Sequence, residues 1–233
     1  MLKLLDRCLS LNDFEKYAVK RLPHPLYAYV SGGVEDNIAL HNTRTSYTDY
    51  SLIPENMVDV SQRNTQVELF GHRYAAPVGL APMGISAITG FQGDLALARA
   101  AAQKNVPFIM SGSSLIRLED VAAVNSNMWF QAYLPKTLPE IDALVDRVQR
   151  AAIPVLVVTV DTPVKANREN NVRAGFATPF RPSLSLAWQG VTHPRWLAGT
   201  PIKTLQTSVM PYFENNQAIL GADRKSTRLK TRT

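Results

Sequence analysis

The sequence predicts an α/β protein built on a parallel sheet, and three observations carry that expectation. Strand-like apolar runs alternate with helical segments between residues 77 and 161. Two of the runs, VPFIMSG (106–112) and VLVVTVD (155–161), are almost continuously apolar, as strands of a sheet covered on both faces are. Polar and small residues gather at the C-terminal ends of all four runs, where parallel α/β proteins bind ligands.

Each element follows from local chemistry. Ser10-Leu-Asn-Asp13 predicts a helix N-terminus, and FEKYAVKRL continues until Pro23 ends it. PLYAYVS predicts a second short helix, with the Gly32-Gly33 pair expected to supply a left-handed cap. VEDNIALHNTRTSY predicts a third helix. TQVELFGHRYAAP alternates around Gly71-His72 as a β-hairpin does. The βα rhythm then starts with PVGLAP (77–82) as strand and 93–105 as helix. Strand 106–112 precedes helix 118–124, and strand MWFQAYL (128–134) precedes amphipathic helix 138–152. Strand 155–161 closes the series, and no further unit of this type is legible after residue 163.

Composition narrows the class. The 233 residues are 45% hydrophobic and 19% charged, which suits a soluble chain with one large or two small domains. Cys8 is the single cysteine, which excludes an intramolecular disulfide and fits a reducing compartment. No apolar run reaches the roughly 18 residues that span a bilayer, and MLKLLDRCLSLND does not make a secretory signal. A cytoplasmic protein is expected. Five Lys or Arg against one Asp in DRKSTRLKTRT (223–233) contribute +4 of the net +6, so the basicity belongs to this tail. The tail is expected to be disordered or foreign to the domain, and a nucleic-acid partner is not expected.

Between the two common parallel architectures, the junction after the first strand decides. APMGISAITGFQGD lacks the G-x-G-x-x-G fingerprint of a dinucleotide domain. A (β/α)8 barrel draws its site from the ends of several strands, and those ends are polar here. Met83, Gly84 and Ser86 follow strand one, and Ser111 to Ser114 end strand two. Gln131 and Tyr133 lie two apart, as do Thr159 and Asp161, so each pair shares a face. Such a rim suits a planar, hydrogen-bonding ligand, with Gly84 permitting close approach to the backbone. Turn and cap residues also collect after strands, and Ser111 to Ser114 alone reads as a cap. An amide inside an apolar strand is harder to set aside, because it needs a partner. His24, His41, His72 and His193 have no metal-ligand spacing, and no Walker loop, zinc motif or nucleophile elbow is present.

LPHPLYAYVSGGVED, LAPMGIS, WFQAYL and VTVDTPVKANREN together resemble the FMN-dependent α-hydroxy-acid dehydrogenases and oxidases. That family includes lactate and mandelate dehydrogenases and glycolate oxidase. The resemblance runs from about residue 10 to about residue 200, and THPRWLAGT looks closer to the bacterial lactate and mandelate dehydrogenases than to glycolate oxidase. It implies the N-terminal half of a (β/α)8 TIM barrel, preceded by short helices and a hairpin, with FMN at the C-terminal rim. Residues 1–76 would be the N-terminal helices and hairpin, 77–163 four βα units, 164–222 an active-site loop or membrane-associating segment, and 223–233 the tail.

The resemblance also implies roles. Pro82, Met83 and Gly84 would lie beside the isoalloxazine ring, and Ser111, Gln131 and Thr159 would bond its polar edge or ribityl chain. Tyr29 and Tyr133 match substrate-contacting tyrosines, and Arg168 matches the arginine that grips the substrate carboxylate. Tyr133 and Asp161 are the catalytic candidates, Asp161 orienting a histidine base as a triad aspartate does. The implied reaction turns a small L-2-hydroxy acid, lactate first, into the 2-keto acid, with quinone or oxygen as final acceptor. The family often forms homotetramers. The histidine motif, flavin-site lysine and phosphate site expected downstream do not occur in these 233 residues. The chain alone is therefore expected to be poorly soluble and inactive, and the alternative is a non-catalytic fragment or pseudoenzyme that keeps part of the flavin rim. Trp188 and Trp196, with Phe180 and basic neighbours in 177–205, resemble a peripheral membrane segment on the cytoplasmic face.

Overall fold

Helix α1 (Leu11–Arg21) begins at Ser10, whose backbone N–H donates to the Asp13 carboxylate at 3.0 Å, so the predicted acid does close the first turn. Helix α2 (His24–Ser31) starts behind Pro23 and carries Pro25 in its first turn, where a missing N–H costs nothing. Helix α3 (Ile38–Thr45) passes into a 3-10 turn (Ser46–Asp49). In the computed structural model, residues 6–160, 166–176, 184–207, 213 and 215 are described. They fall into two units: residues 1–61 with 164–202, and residues 62–163 with 203–233.

The second unit holds the sheet. Strands β1 (Val67–Leu69) and β2 (His72–Tyr74) form the predicted hairpin. Both turn residues, Phe70 and Gly71, have positive φ, at 50° and 76°. That is the turn that matches strand twist. Short α4 (Ser86–Thr89) and long α5 (Gly93–Lys104) follow. β3 (Ile109–Ser111), α6 (Leu118–Ala122), β4 (Trp129–Tyr133), α7 (Leu138–Arg150) and β5 (Val155–Thr159) complete the series. The strands run parallel in the order β3-β4-β5, with Ser111 opposite Gln131 and Tyr133 opposite Thr159.

The expected first strand, 77–82, is reduced to one parallel bridge between Leu80 and Phe108. Two hydrogen bonds hold it, Leu80 N to Pro107 O and Ile109 N to Leu80 O. Pro77 and Pro82 bracket the segment and Pro107 lies opposite, so three potential ladder donors are missing.

Alternation along the strands separates core from site. Phe108, Met110, Phe130 and Ala132 join Leu95, Ala98, Leu118, Val121, Leu144 and Val148 in one buried cluster beneath α5, α6 and α7. Trp129, Gln131 and Tyr133 occupy the other face of β4 by the two-residue period. The hairpin fills the N-terminal end of that face: Trp129 Nε1 donates to the Tyr74 hydroxyl at 3.0 Å, and Phe70 meets the Trp129 ring edge-on at 5.0 Å. Gln131 and Tyr133 occupy the C-terminal end of that face.

The first unit returns after the sheet with α8 (Glu169–Arg173), α9 (Leu184–Thr192), α10 (Pro194–Leu197) and a π-helical turn (Ala198–Ile202). Helix α11 (Lys203–Thr207) belongs to the second unit. The expected left-handed cap at Gly32-Gly33 is not formed. Gly32 has φ −87°, ψ 148°, and its missing Cβ has another use: a Cβ there would sit 1.6 Å from Asn170 Nδ2.

Candidate active site

In the sheet unit, three predicted residues make one hydrogen-bonded row. Ser111 Oγ and Gly112 N donate to Gln131 Oε1 at 3.4 and 3.3 Å, and Gln131 Nε2 donates to Thr159 Oγ1 at 2.8 Å. A backbone N–H can only donate, so Gly112 settles which end of the amide faces it. Gln131 is 3% exposed and Ser111 4%. Both polar atoms of this buried amide find partners in register, and the amide links the two hydroxyls. Gly112 is required here by close approach: a Cβ would lie 2.8 Å from Gln131 O.

Tyr133 stands on the same face, one step beyond Gln131 and opposite Thr159, and is half exposed. Pro82 and Met83 are exposed and Gly84 is half-buried. Their loop is tied to the strand-two loop by Ile85 N donating to Ser113 O at 3.1 Å. Asp161, the predicted partner of a histidine, lies outside the described residues, as do Phe180 and the tail 223–233.

In the other unit, Tyr29 and Arg168 come together. The Arg168 guanidinium carbon lies 5.9 Å from the Tyr29 ring centroid, a cation–π distance. Arg168 is exposed and makes no ion pair among the described residues. Phe176 stacks on Tyr29 at 4.5 Å and 20°, and Asn170 Nδ2 donates to Ala28 O at 2.9 Å. Neither Phe176 nor Asn170 is singled out by the sequence. The one available signal is Gly175 before Phe176, which takes φ 73° and turns the chain out of α8.

Asp94 is also unforeseen. It sits in the first turn of α5, 2% exposed, and accepts from Ser114 Oγ at 2.7 Å. Burial pushes its carboxyl above the usual range. His72 and His193 are structural: the first pairs with Asn105 Oδ1 at 3.0 Å, the second with Gln189 O at 2.9 Å. Among the described residues no group of three His, Cys, Asp or Glu could hold a metal.

Parallel strands joined by helices packed on one face, with a polar row at the strand ends on the other, are the arrangement of a (β/α)-barrel segment. The chain belongs to the FMN-dependent dehydrogenase family, whose pattern residues 18–230 match. An (S)-mandelate dehydrogenase of Pseudomonas putida is 34% identical over 189 residues, 80% of this chain and 48% of the relative. An L-lactate dehydrogenase of Pectobacterium atrosepticum is 34% identical over 185 residues, 79% of this chain and 48% of the relative. The crystal structure of the monotopic membrane protein (S)-mandelate dehydrogenase superposes with a TM-score of 0.81 at 29% identity, over 97% of this chain and 60% of that one. A mandelate oxidase with a C4a-OH-FMN adduct superposes with a TM-score of 0.69 at 30% identity, over 77% and 58%. The fold is thus that of a TIM barrel, which the described strands do not close. The family's cofactor is FMN. The chain spans about half the length of the curated relatives it matches.

Proposed function

We propose that this chain supplies part of the site in which a small L-2-hydroxy acid is oxidised to its 2-keto acid with FMN as immediate electron acceptor. The observation that carries this is the Ser111–Gln131–Thr159 row at the strand ends. Its unspent hydrogen-bonding capacity suits the group. The second hydrogen of Gln131 Nε2 and the Thr159 hydroxyl hydrogen have no acceptor assigned among the described residues. Both therefore offer donors to the carbonyl- and nitrogen-rich edge of a flavin. Pro82, Met83 and Gly84 would flank the ring from the adjacent loop. FMN, when bound, takes up the two electrons released as the hydroxyl carbon becomes a carbonyl.

Tyr29 and Arg168 would hold the substrate carboxylate, an exposed guanidinium being free to meet it with two parallel hydrogen bonds. Tyr133 would contact the substrate hydroxyl from the strand end, and Asp161 would hold the imidazolium of the histidine base. Lactate is the substrate we favour; mandelate relatives are equally similar, so the assay includes both. The functional divisions we assign are 1–76, 77–163, 164–222 and 223–233, with quinone or oxygen as final acceptor and a homotetramer as the assembly.

Peripheral attachment to the cytoplasmic face of a membrane belongs to the same reading. No helix among the described residues is long and apolar enough to cross a bilayer. Trp188 and Val191, three apart on α9, are 67% and 64% exposed, whereas Trp196 is buried. Trp188 would be the interfacial aromatic.

FMN titration of the purified chain tests the central claim. Quenching of flavin fluorescence is expected, and Gln131→Leu is expected to weaken FMN about tenfold, the loss of roughly one to two hydrogen bonds. Unchanged affinity in a folded Gln131→Leu chain would sink the assignment. If FMN binds but neither L-lactate nor L-mandelate bleaches its absorbance anaerobically, the chain is a flavin-binding fragment without the oxidation step.

A further inference from the structure

The Tyr29–Arg168 pair is held by contacts at both ends of α8. At its start, Asn167 O accepts from Glu35 N at 3.4 Å, and Asn170 Nδ2 donates to Ala28 O at 2.9 Å. Ala28 O already accepts from Gly32 N at 3.0 Å in the last turn of α2, so the Asn170 amide must approach alongside Gly32. Only a residue without Cβ leaves that space: the added atom would lie 1.6 Å from Asn170 Nδ2 and 2.6 Å from its Cγ. At the far end, Ala174 N bonds Asn170 O and Gly175 N bonds Val172 O. Gly175 at φ 73° then reverses the chain, Phe176 N bonds Asn171 O at 2.8 Å, and the Phe176 ring lands on Tyr29.

We propose that Phe176, Asn170 and Gly32 are positioning residues that hold Tyr29 and Arg168 as a single carboxylate-binding unit. They set affinity for the 2-hydroxy acid and take no part in its oxidation. The proposal rests on the reading of Tyr29 and Arg168 as the carboxylate arm. Its physical basis is pre-organisation. Arg168 is exposed and would otherwise sample many rotamers, and Tyr29 is partly buried, with Arg168 and Phe176 reaching it from one segment. Anchoring α8 at Ala28 O and at the Tyr29 ring limits that freedom before a ligand arrives.

The test is pyruvate binding by the FMN-loaded 233-residue chain, pyruvate carrying the carboxylate without being oxidisable there. Titration calorimetry gives affinity, and hydrogen exchange at amides 167–176 gives docking. Arg168→Met is expected to abolish binding. Phe176→Leu is expected to weaken it about three- to tenfold, the usual worth of an aromatic pair, with Phe176→Tyr restoring it. Gly32→Ala is expected to weaken binding and accelerate exchange at 167–176. Combining Gly32→Ala with Asn170→Ala is expected to cost less than the two changes summed, because the clash partner is gone. If Arg168→Met abolishes binding while Phe176→Leu and Gly32→Ala bind pyruvate like the parent, the positioning role is refuted and the carboxylate arm stands. If Arg168→Met leaves binding intact, or the parent binds no pyruvate, the arm is refuted and the positioning role falls with it.

Discussion

Replacing Arg147 by Met removes an ion pair that joins two helices behind the sheet, together with the Nη2 hydrogen bond to Asn215 Oδ1 at 3.3 Å, and the pH dependence of the loss reads the ion pair. Arg147 on α7 donates from Nε to Glu119 Oε1 at 2.7 Å and from Nη2 to Oε2 at 2.9 Å, a bidentate pair with α6. Its side chain is 15% exposed, that of Glu119 34%. This hydrogen bonding, helped by the Arg147 and Arg117 charges, lowers the Glu119 carboxyl from 4.5 to about 2, against the cost of burial. A shift of that size corresponds to about 3 kcal/mol if unscreened. With a third of the carboxylate in water, about 1–2 kcal/mol is the realistic loss. Because the folded-state value is depressed, the stabilisation is complete above the unfolded value near 4.5 and disappears as pH falls toward 2. Urea unfolding followed at the Trp129 indole N–H, the only tryptophan of the sheet unit, reports it. The gap between parent and Arg147→Met is expected in full at pH 7 and to shrink steadily from pH 4.5 to pH 3. A gap of the same size at pH 3 would refute the ion pair as its source.

Three further outcomes follow from local geometry. Asp94→Asn keeps the acceptor for Ser114 Oγ and removes a carboxylate whose folded value burial has raised. It is expected to match or exceed the parent in urea resistance at pH 7, with the advantage gone below the unfolded value of about 3.8, where both forms are neutral. Gly112→Ala forces a Cβ to within 2.8 Å of Gln131 O. It is expected to lower stability by about 1–3 kcal/mol in urea titration and to weaken FMN together with it. Trp188→Ser is expected to reduce sedimentation with anionic phospholipid vesicles while leaving the unfolding midpoint unchanged, since the ring is two-thirds exposed.

What could be read in advance depended on how local its cause was. β4, α5 and α7 were legible because a period-two or helical pattern is written in consecutive residues, and the hairpin because Gly71 stands where φ must be positive. Gln131 and Thr159 stood out as polar residues within apolar runs, and the structure joins them to Ser111 in one row. Residues 77–82 looked like a strand by hydrophobicity, but their prolines leave too few donors for more than a bridge. The usual use of a glycine after a helix is a left-handed turn, which is what the sequence around Gly32 suggests. Its actual use depends on Asn170, a residue 142 positions from Ala28 in sequence, which no local pattern reveals. The burial of Asp94 is equally non-local: its hydroxyl partner Ser114 is 20 residues away, across β3.

The two groups of candidate site residues are specified by different physics, and this predicts how they tolerate change. Gln131 shares β4 with the core residues Phe130 and Ala132, which alternate with it, and Thr159 shares β5 with Leu156, which packs against the core. A one-residue slip of β4 would send Phe130 to the ligand face and Gln131 beneath the helices, so burial of the core specifies the site's register. Changes in this row therefore carry a stability cost with any binding cost. Tyr29 and Arg168 depend on a helix end, a close backbone approach and one aromatic stack, with no strand register involved. On the proposed reading, substitutions around that pair are expected to alter carboxylate affinity while the sheet unit keeps its stability. If the proposed hydroxy-acid reading holds, tolerated substitutions that change substrate preference are expected around α8 more readily than along β4.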